Sequence, residues 1–203
     1  MMRKRRTTDA RSRRWMTALT VAAVLTLTGC GSDVLDDPYE KSSPTVTADS
    51  AAILESLPSL EDTEVQLEST VMQIGAFVDT LVPGMKWTWI RERSVGGCGR
   101  PFDGTDGDDV QLKNYVSEGP IPDAVWPQVF EHAKALAAAV GATEYQIFHD
   151  DPGRHQVRFY SPERTAIFIG STGAVISANT GCRLPQAKMP GAQATQPPVT
   201  PTP

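Results

Sequence analysis

The stretch from Arg3 to Cys30 constrains this chain most, because it decides where the chain folds and what its cysteines can become. Arg3, Lys4, Arg5, Arg6, Arg11, Arg13 and Arg14 make a cationic head opposed only by Asp9, and Trp15 to Thr28 carries no charge. A charged head, a short apolar run and small residues before a cut form an export signal. The run is shorter than the roughly 20 residues that span a bilayer, which argues against a retained transmembrane helix. Leu27-Thr28-Gly29-Cys30 resembles the bacterial lipobox, a Leu, two small residues and a Cys. The thiol is the acceptor for a diacylglyceryl group and the small Gly29 fits a signal peptidase, so residues 1–29 are expected to be removed and Cys30 lipidated. A further acyl chain such as palmitate on the new amino terminus would make the anchoring stable. The expected address is the extracytoplasmic face of the cell membrane.

That address sets the fate of the other two thiols. Cys98 and Cys182 are an even pair in an oxidising envelope, most simply a disulfide. It would close a loop of about 84 residues, for which chain entropy assigns roughly 4–5 kcal/mol. The competing assignment makes Cys98 a nucleophile, but nothing nearby in sequence supplies a base. Ser12-Arg13-Arg14-Trp15-Met16 resembles a twin-arginine signal. That route carries folded proteins, and a disulfide does not form in a reducing cytosol, so the general secretory route is preferred.

Without the signal the net charge becomes about −11, which argues against nucleic acid and against a second, electrostatic anchor on anionic lipid. Gly31 to about Leu60 is rich in Ser, Thr, Asp, Pro and Ala and reads as a flexible tether, residues 30–60, reaching on the order of 30 Å. Residues 186–203, dense in Pro, Thr, Gln and Ala, read as a disordered tail open to O-linked sugar. The domain is then residues 61–185, enough for one core.

Within it, Leu67, Val71, Ile74, Val78 and Leu81 fall on one helical stripe that Pro83-Gly84 ends. Met85–Arg93 reads as a strand with Trp87 and Trp89 on one face, and Val110–Val116 as another. Asp123 is the expected N-cap of a second helix. Its stripe runs through Trp126, Val129, Phe130, Ala133, Leu136, Ala137 and Val140 to a stop at Gly141. Thr143–Phe148, a turn at Asp151-Pro152-Gly153, Gln156–Tyr160, Thr165–Gly170 and Ala174–Ala178 supply four more strands. The order predicts an α+β two-layer sandwich, an antiparallel sheet with two helices on one face and one disulfide.

Several segments resemble the LppA-like lipoproteins of mycobacteria and related actinobacteria. They are Val82-Pro83-Gly84-Met85-Lys86-Trp87, Cys98-Gly99-Arg100-Pro101-Phe102, Pro120-Ile121-Pro122-Asp123-Ala124-Val125-Trp126, the segment Pro152–Tyr160, and Thr180-Gly181-Cys182-Arg183-Leu184-Pro185. The resemblance spans roughly Thr70 to Pro185. It implies a cell-envelope lipoprotein with a compact α+β domain, no assigned activity and no catalytic residues.

The residues that could carry chemistry each have a plainer use. Asp103-Gly104-Thr105-Asp106-Gly107-Asp108-Asp109 offers carboxylates to calcium, but its register is not that of an EF-hand, and Asp-Gly pairs make tight turns. His149, Asp150, Asp151 and His155 flank the hairpin turn and could hold zinc, although turn-flanking His are usually solvated. His132 reads as a core-edge residue. Trp87, Trp89 and Trp126 could line a ligand groove, with core packing as the alternative. No Ser-nucleophile elbow, phosphate-cradling Gly loop or HExxH helix is present. The sequence therefore predicts no cofactor and no enzyme, but a non-catalytic binding or scaffolding module for an envelope protein. The alternatives are a carrier of a small apolar ligand or lipid, and an enzyme with a scattered loop site.

Overall fold

In the computed structural model, residues 40–192 are described. Helix α1 (Pro44–Glu55) opens with Ser43 as N-cap, its side chain accepting from the Val46 N–H, and with Pro44 in the first turn, where a missing N–H costs nothing. Helix α2 (Leu60–Leu81) repeats the device: the Ser59 hydroxyl accepts from the Asp62 N–H, and Glu61 and Asp62 complement the positive helix end. Leu67, Val71, Ile74 and Val78 of the expected stripe are buried along one face of α2, Leu81 is half-buried against the core, and Leu60 is buried as well.

The strand expected at 85–93 is two. β1 (Trp87–Ile90) ends where Arg91 adopts a left-handed backbone (φ 64°), and β2 (Ser94–Gly97) departs from it. Likewise the strand expected at 110–116 divides into β3 (Asp108–Gln111) and β4 (Asn114–Ser117). Helix α3 (Trp126–Ala139) buries Trp126, Val129, Ala133 and Ala137. The chain leaves it at Gly141, where the Ala142 N–H returns to the Ala137 carbonyl. The four last strands are β5 (Glu144–Asp151), β6 (Arg154–Tyr160), β7 (Ala166–Gly170) and β8 (Val175–Asn179).

Every pairing is antiparallel. The sheet runs β1-β4-β8-β7-β6-β5, and the β2–β3 hairpin branches off, joined to β8 where Gln111 faces Asn179. Alternation sorts the strands into two faces. Val157, Phe159, Ile167, Ile169, Ile176 and Ala178 pack under α2 and α3, while Arg158, Phe168 and Ser177 stay partly exposed on the opposite face. The architecture is thus the α+β arrangement read from the sequence, with α2 and α3 on one face of an eight-stranded antiparallel sheet.

Two boundaries move. The stretch read as tether contains α1, whose Leu54 is fully buried with Phe102, Cys182 and Leu184 in a second apolar cluster. This helix escapes periodicity analysis because only Ser50 and Leu54 are buried on it, too few to form a stripe. Downstream, Gln186–Lys188 forms a 3-10 turn and Met189 packs on the same cluster, so the ordered part passes the expected end at Pro185. The second cluster surrounds the Cys98–Cys182 disulfide, which joins the chain just beyond β2 to the chain just beyond β8. Arg183, next to the bridge, is buried, donating to the Cys182 carbonyl at 2.7 Å and to the Thr165 hydroxyl at 2.6 Å. Burial pushes its guanidinium pKa down, against the pull of Glu163 and Asp109.

Candidate functional site

The start of α3 lies over the β5–β6 hairpin, and between them runs an open groove of 260 Å³. Trp126, Phe130, Ile147 and Val157 supply its apolar walls; Glu131, His149 and Asp150 supply polar groups. One irregularity in β5 shapes it. Ile147 pairs with Val157, but His149 pairs with Gln156, so Phe148 is an extra residue, a β-bulge. Regular alternation from Ile147 would turn His149 and Asp151 to the helix side. With the bulge, Asp150 instead stands opposite His155.

His155 is buried, with its ring sandwiched edge to edge between two carboxylates. Nδ1 lies 2.8 Å from Asp150 Oδ1, and Nε2 lies 3.0 Å from Asp123 Oδ1. Trp126 stacks on the imidazole, ring centroids 5.0 Å apart and planes within 12°. The His155 N–H donates to the Ser171 hydroxyl. Asp123 is therefore not the N-cap of α3: Val125 holds that position without a side-chain hydrogen bond. The Asp123 carboxylate instead accepts from the Gly153 N–H at 2.8 and 3.0 Å, pinning the hairpin turn to the segment that leads into α3.

Asp123 thus makes a testable electrostatic contact. The Gly153 N–H, and then the His155 ring, hold its carboxyl below the ordinary value of 3.8. A depressed carboxyl stabilises the fold fully above its unfolded value and loses that contribution as pH falls through the folded one. The Gly153 amide should keep its hydrogen-bonded NMR shift at neutral pH and lose it only below the ordinary carboxyl range. In Asp123→Asn the shift should be pH-independent; a wild-type shift that moves near neutrality would contradict the assignment.

The geometry also limits the chemistry. Both nitrogens of His155 are engaged by carboxylates, so neither is free to accept a proton from a nucleophile or to bind a metal. His149 does not join it; its Nε2 faces the Arg154 guanidinium at 2.5 Å. Among the described residues no group of three or more His, Cys, Asp or Glu is placed to hold a metal ion. The Asp-rich loop is occupied with turns: Asp103 accepts from the Ser42 N–H, and Thr105 and Gly107 bond within the loop. His132 stacks on Phe77, centroids 3.9 Å apart, at the edge of the core.

The three tryptophans do not share one groove. Trp87 and Trp89, on the β1 edge, pack around Tyr115 of β4, with centroids 5.1 and 4.5 Å away. Trp89 borders a crevice of 40 Å³. Trp126 stands near the other edge, over β6, with three strands between. Equal spacing on a strand put Trp87 and Trp89 together, but nothing in a one-dimensional pattern says which edge of a sheet a helix start will cover. Ile147 was missed altogether, while Phe130 was read as a core-stripe residue and Asp150 as a candidate zinc ligand rather than as parts of this groove. The exposed apolar Tyr145, Ile147 and Phe148 in a run without Lys, Arg or Pro were the available signal. Cys30 lies outside the described residues.

Fold and site together define a disulfide-stapled two-layer α+β domain bearing an open, partly aromatic groove on the helix side of its sheet. The chain belongs to the LppA family, described as a lipoprotein confined to pathogenic Mycobacterium, whose model matches residues 35–186. That span encloses α1. Among solved structures the chain is similar to the lipoprotein LppA from Mycobacterium tuberculosis, with a TM-score of 0.56 and 16% identity, over 74% of this chain and 94% of that one. At that identity the likeness carries the fold alone. A DUF4853 family protein from Actinomyces odontolyticus matches with a TM-score of 0.44 and 17% identity, over 71% of this chain and 80% of its own. No curated protein matches. Membership of a lipoprotein family is consistent with the cell envelope, and no described helix is long and apolar enough to cross a membrane.

Proposed function

We propose that this protein is a non-catalytic binding module, displayed on the extracytoplasmic face of the cell membrane by lipid on Cys30. Its binding surface is the groove between α3 and β5, and its partner is another protein of the envelope. The observation that carries this reading is the groove itself: aromatic and branched walls from Trp126, Phe130 and Ile147 with a rim from Glu131 and Asp150. A volume of 260 Å³ suits one ring or branched side chain and is too small for a diacyl lipid, which disfavours the carrier alternative. With both ring nitrogens engaged, His155 is not available as a base, which disfavours an enzyme built on it.

A photo-crosslinking amino acid at position 147, introduced in the native host, tests the reading. It should yield one discrete adduct that Phe130→Ala diminishes severalfold. An adduct pattern indifferent to Phe130 would refute the groove. Separately, Cys30→Ser should release the protein from the membrane fraction; undiminished membrane association would refute the lipid anchor.

A further inference from the structure

We infer that the outer edge of β5 is a strand-addition site for an extended segment of a partner protein, apolar in its middle and basic at both ends. The inference rests on the groove being the binding surface, and adds what occupies it and in which conformation. β5 is the last strand of the sheet; among the described residues its strand partner is β6 alone. It is also the longest strand, eight residues, so a long row of outward N–H and C=O groups is left for another chain. Such edges are normally blunted by Lys, Pro or shortness. β5 carries no Lys, Arg or Pro, and Tyr145, Ile147 and Phe148 are 46, 48 and 43% exposed.

What lies beside this edge makes it a site. On the helix side β5 opens into the groove, so a chain laid along it would direct alternate side chains between α3 and the sheet. Main-chain bonds would then give affinity and the groove specificity. The charge pattern selects the occupant. Glu144 stands at one end of β5 and Asp150 and Asp151 at the other, with the apolar residues between and no cation on the strand. A second copy is the wrong complement: paired antiparallel about Ile147, two β5 strands would set Glu144 against Asp150. A segment with Lys or Arg at both ends and Val or Phe between them meets the acidic ends and fills the groove.

The test uses the full mature chain carrying Cys30→Ser, 15N-labelled. The probe is a blocked nine-residue peptide with lysines at both ends and alternating valine and phenylalanine between. Binding should slow exchange of the β5 amides and shift the Trp126 indole. Replacing the lysines with glutamate, or N-methylating alternate peptide amides, should each weaken it by about tenfold or more. Groove shifts without β5 protection, or indifference to N-methylation, would overturn strand addition while leaving the groove reading intact. Sedimentation showing a dimer that protects β5 would overturn it in favour of self-pairing. A silent peptide alongside free indole that shifts Trp126 and Phe130 would sink the partner chemistry alone; silence from both probes would sink the groove reading too.

Discussion

Replacing Cys98 and Cys182 together with serine should lower the unfolding free energy by about 4–5 kcal/mol. The bridge closes 84 residues, a loop that takes in β3 to β8 and α3. Without it the unfolded chain recovers the entropy of that closure. The folded state loses the centre of its second cluster as well, since Leu54, Leu57, Phe102, Leu184 and Met189 gather around the sulfurs. Against a typical total of roughly 5–15 kcal/mol, this is a large share. Chemical denaturation of the C98S/C182S protein beside the oxidised protein measures it. Hydrogen exchange should show α1 released first, because Leu54 is its one deeply buried apolar residue. A loss below about 1 kcal/mol would mean that the apolar cluster, not the covalent link, holds the two ends together.

Gly181→Ala is the second large effect. Gly181 sits at φ +63°, where a Cβ costs about 1–2 kcal/mol. Unlike an exposed turn glycine, it has no room: a Cβ there would overlap the backbone of Glu163, Arg164 and Thr165. Relieving that overlap must move one of two segments that are themselves tied down. The Thr165 hydroxyl donates to the Thr180 carbonyl, and the Cys182 N–H donates to the Glu163 carbonyl. Overpacking of this kind adds about 1–3 kcal/mol, so the expected total is on the order of 2–5 kcal/mol. Gly84→Ala is the control. Its φ of +96° carries the strain, but nothing lies within 4 Å of the added carbon. Thermal unfolding should rank Gly181→Ala well below Gly84→Ala; equal losses would show that only the backbone angle matters.

Both effects fall in the region where the sequence was least informative. Apolar spacing exposed α2 and α3 because each buries a full stripe, and it exposed β6 to β8 because one face of each packs beneath the helices. It did not expose α1, which buries one face position in each of two turns and depends on residues more than forty positions away. It read 85–93 as one strand, although Arg91 turns the chain there and the Arg93 guanidinium bonds both oxygens of Glu64 on α2. The groove was half legible. Trp126 stood out, but Asp150 reaches this side only through the bulge at Phe148, which no residue pattern in β5 announces.

By itself the sequence determined the two-helix, antiparallel-sheet class and the pairing of Cys98 with Cys182, and it carries the pattern from which an export signal and a lipidated Cys30 are expected. Those follow from composition, short-range periodicity and compartment, which act along the chain. Only the tertiary structure decided that α1 belongs to the domain, that His155 is held between Asp123 and Asp150, and that β5, paired with β6 alone among the described residues, forms a sheet edge beside an aromatic groove. Each of these depends on which distant segments meet, and burial and hydrogen-bond satisfaction settle that only once the whole core has closed.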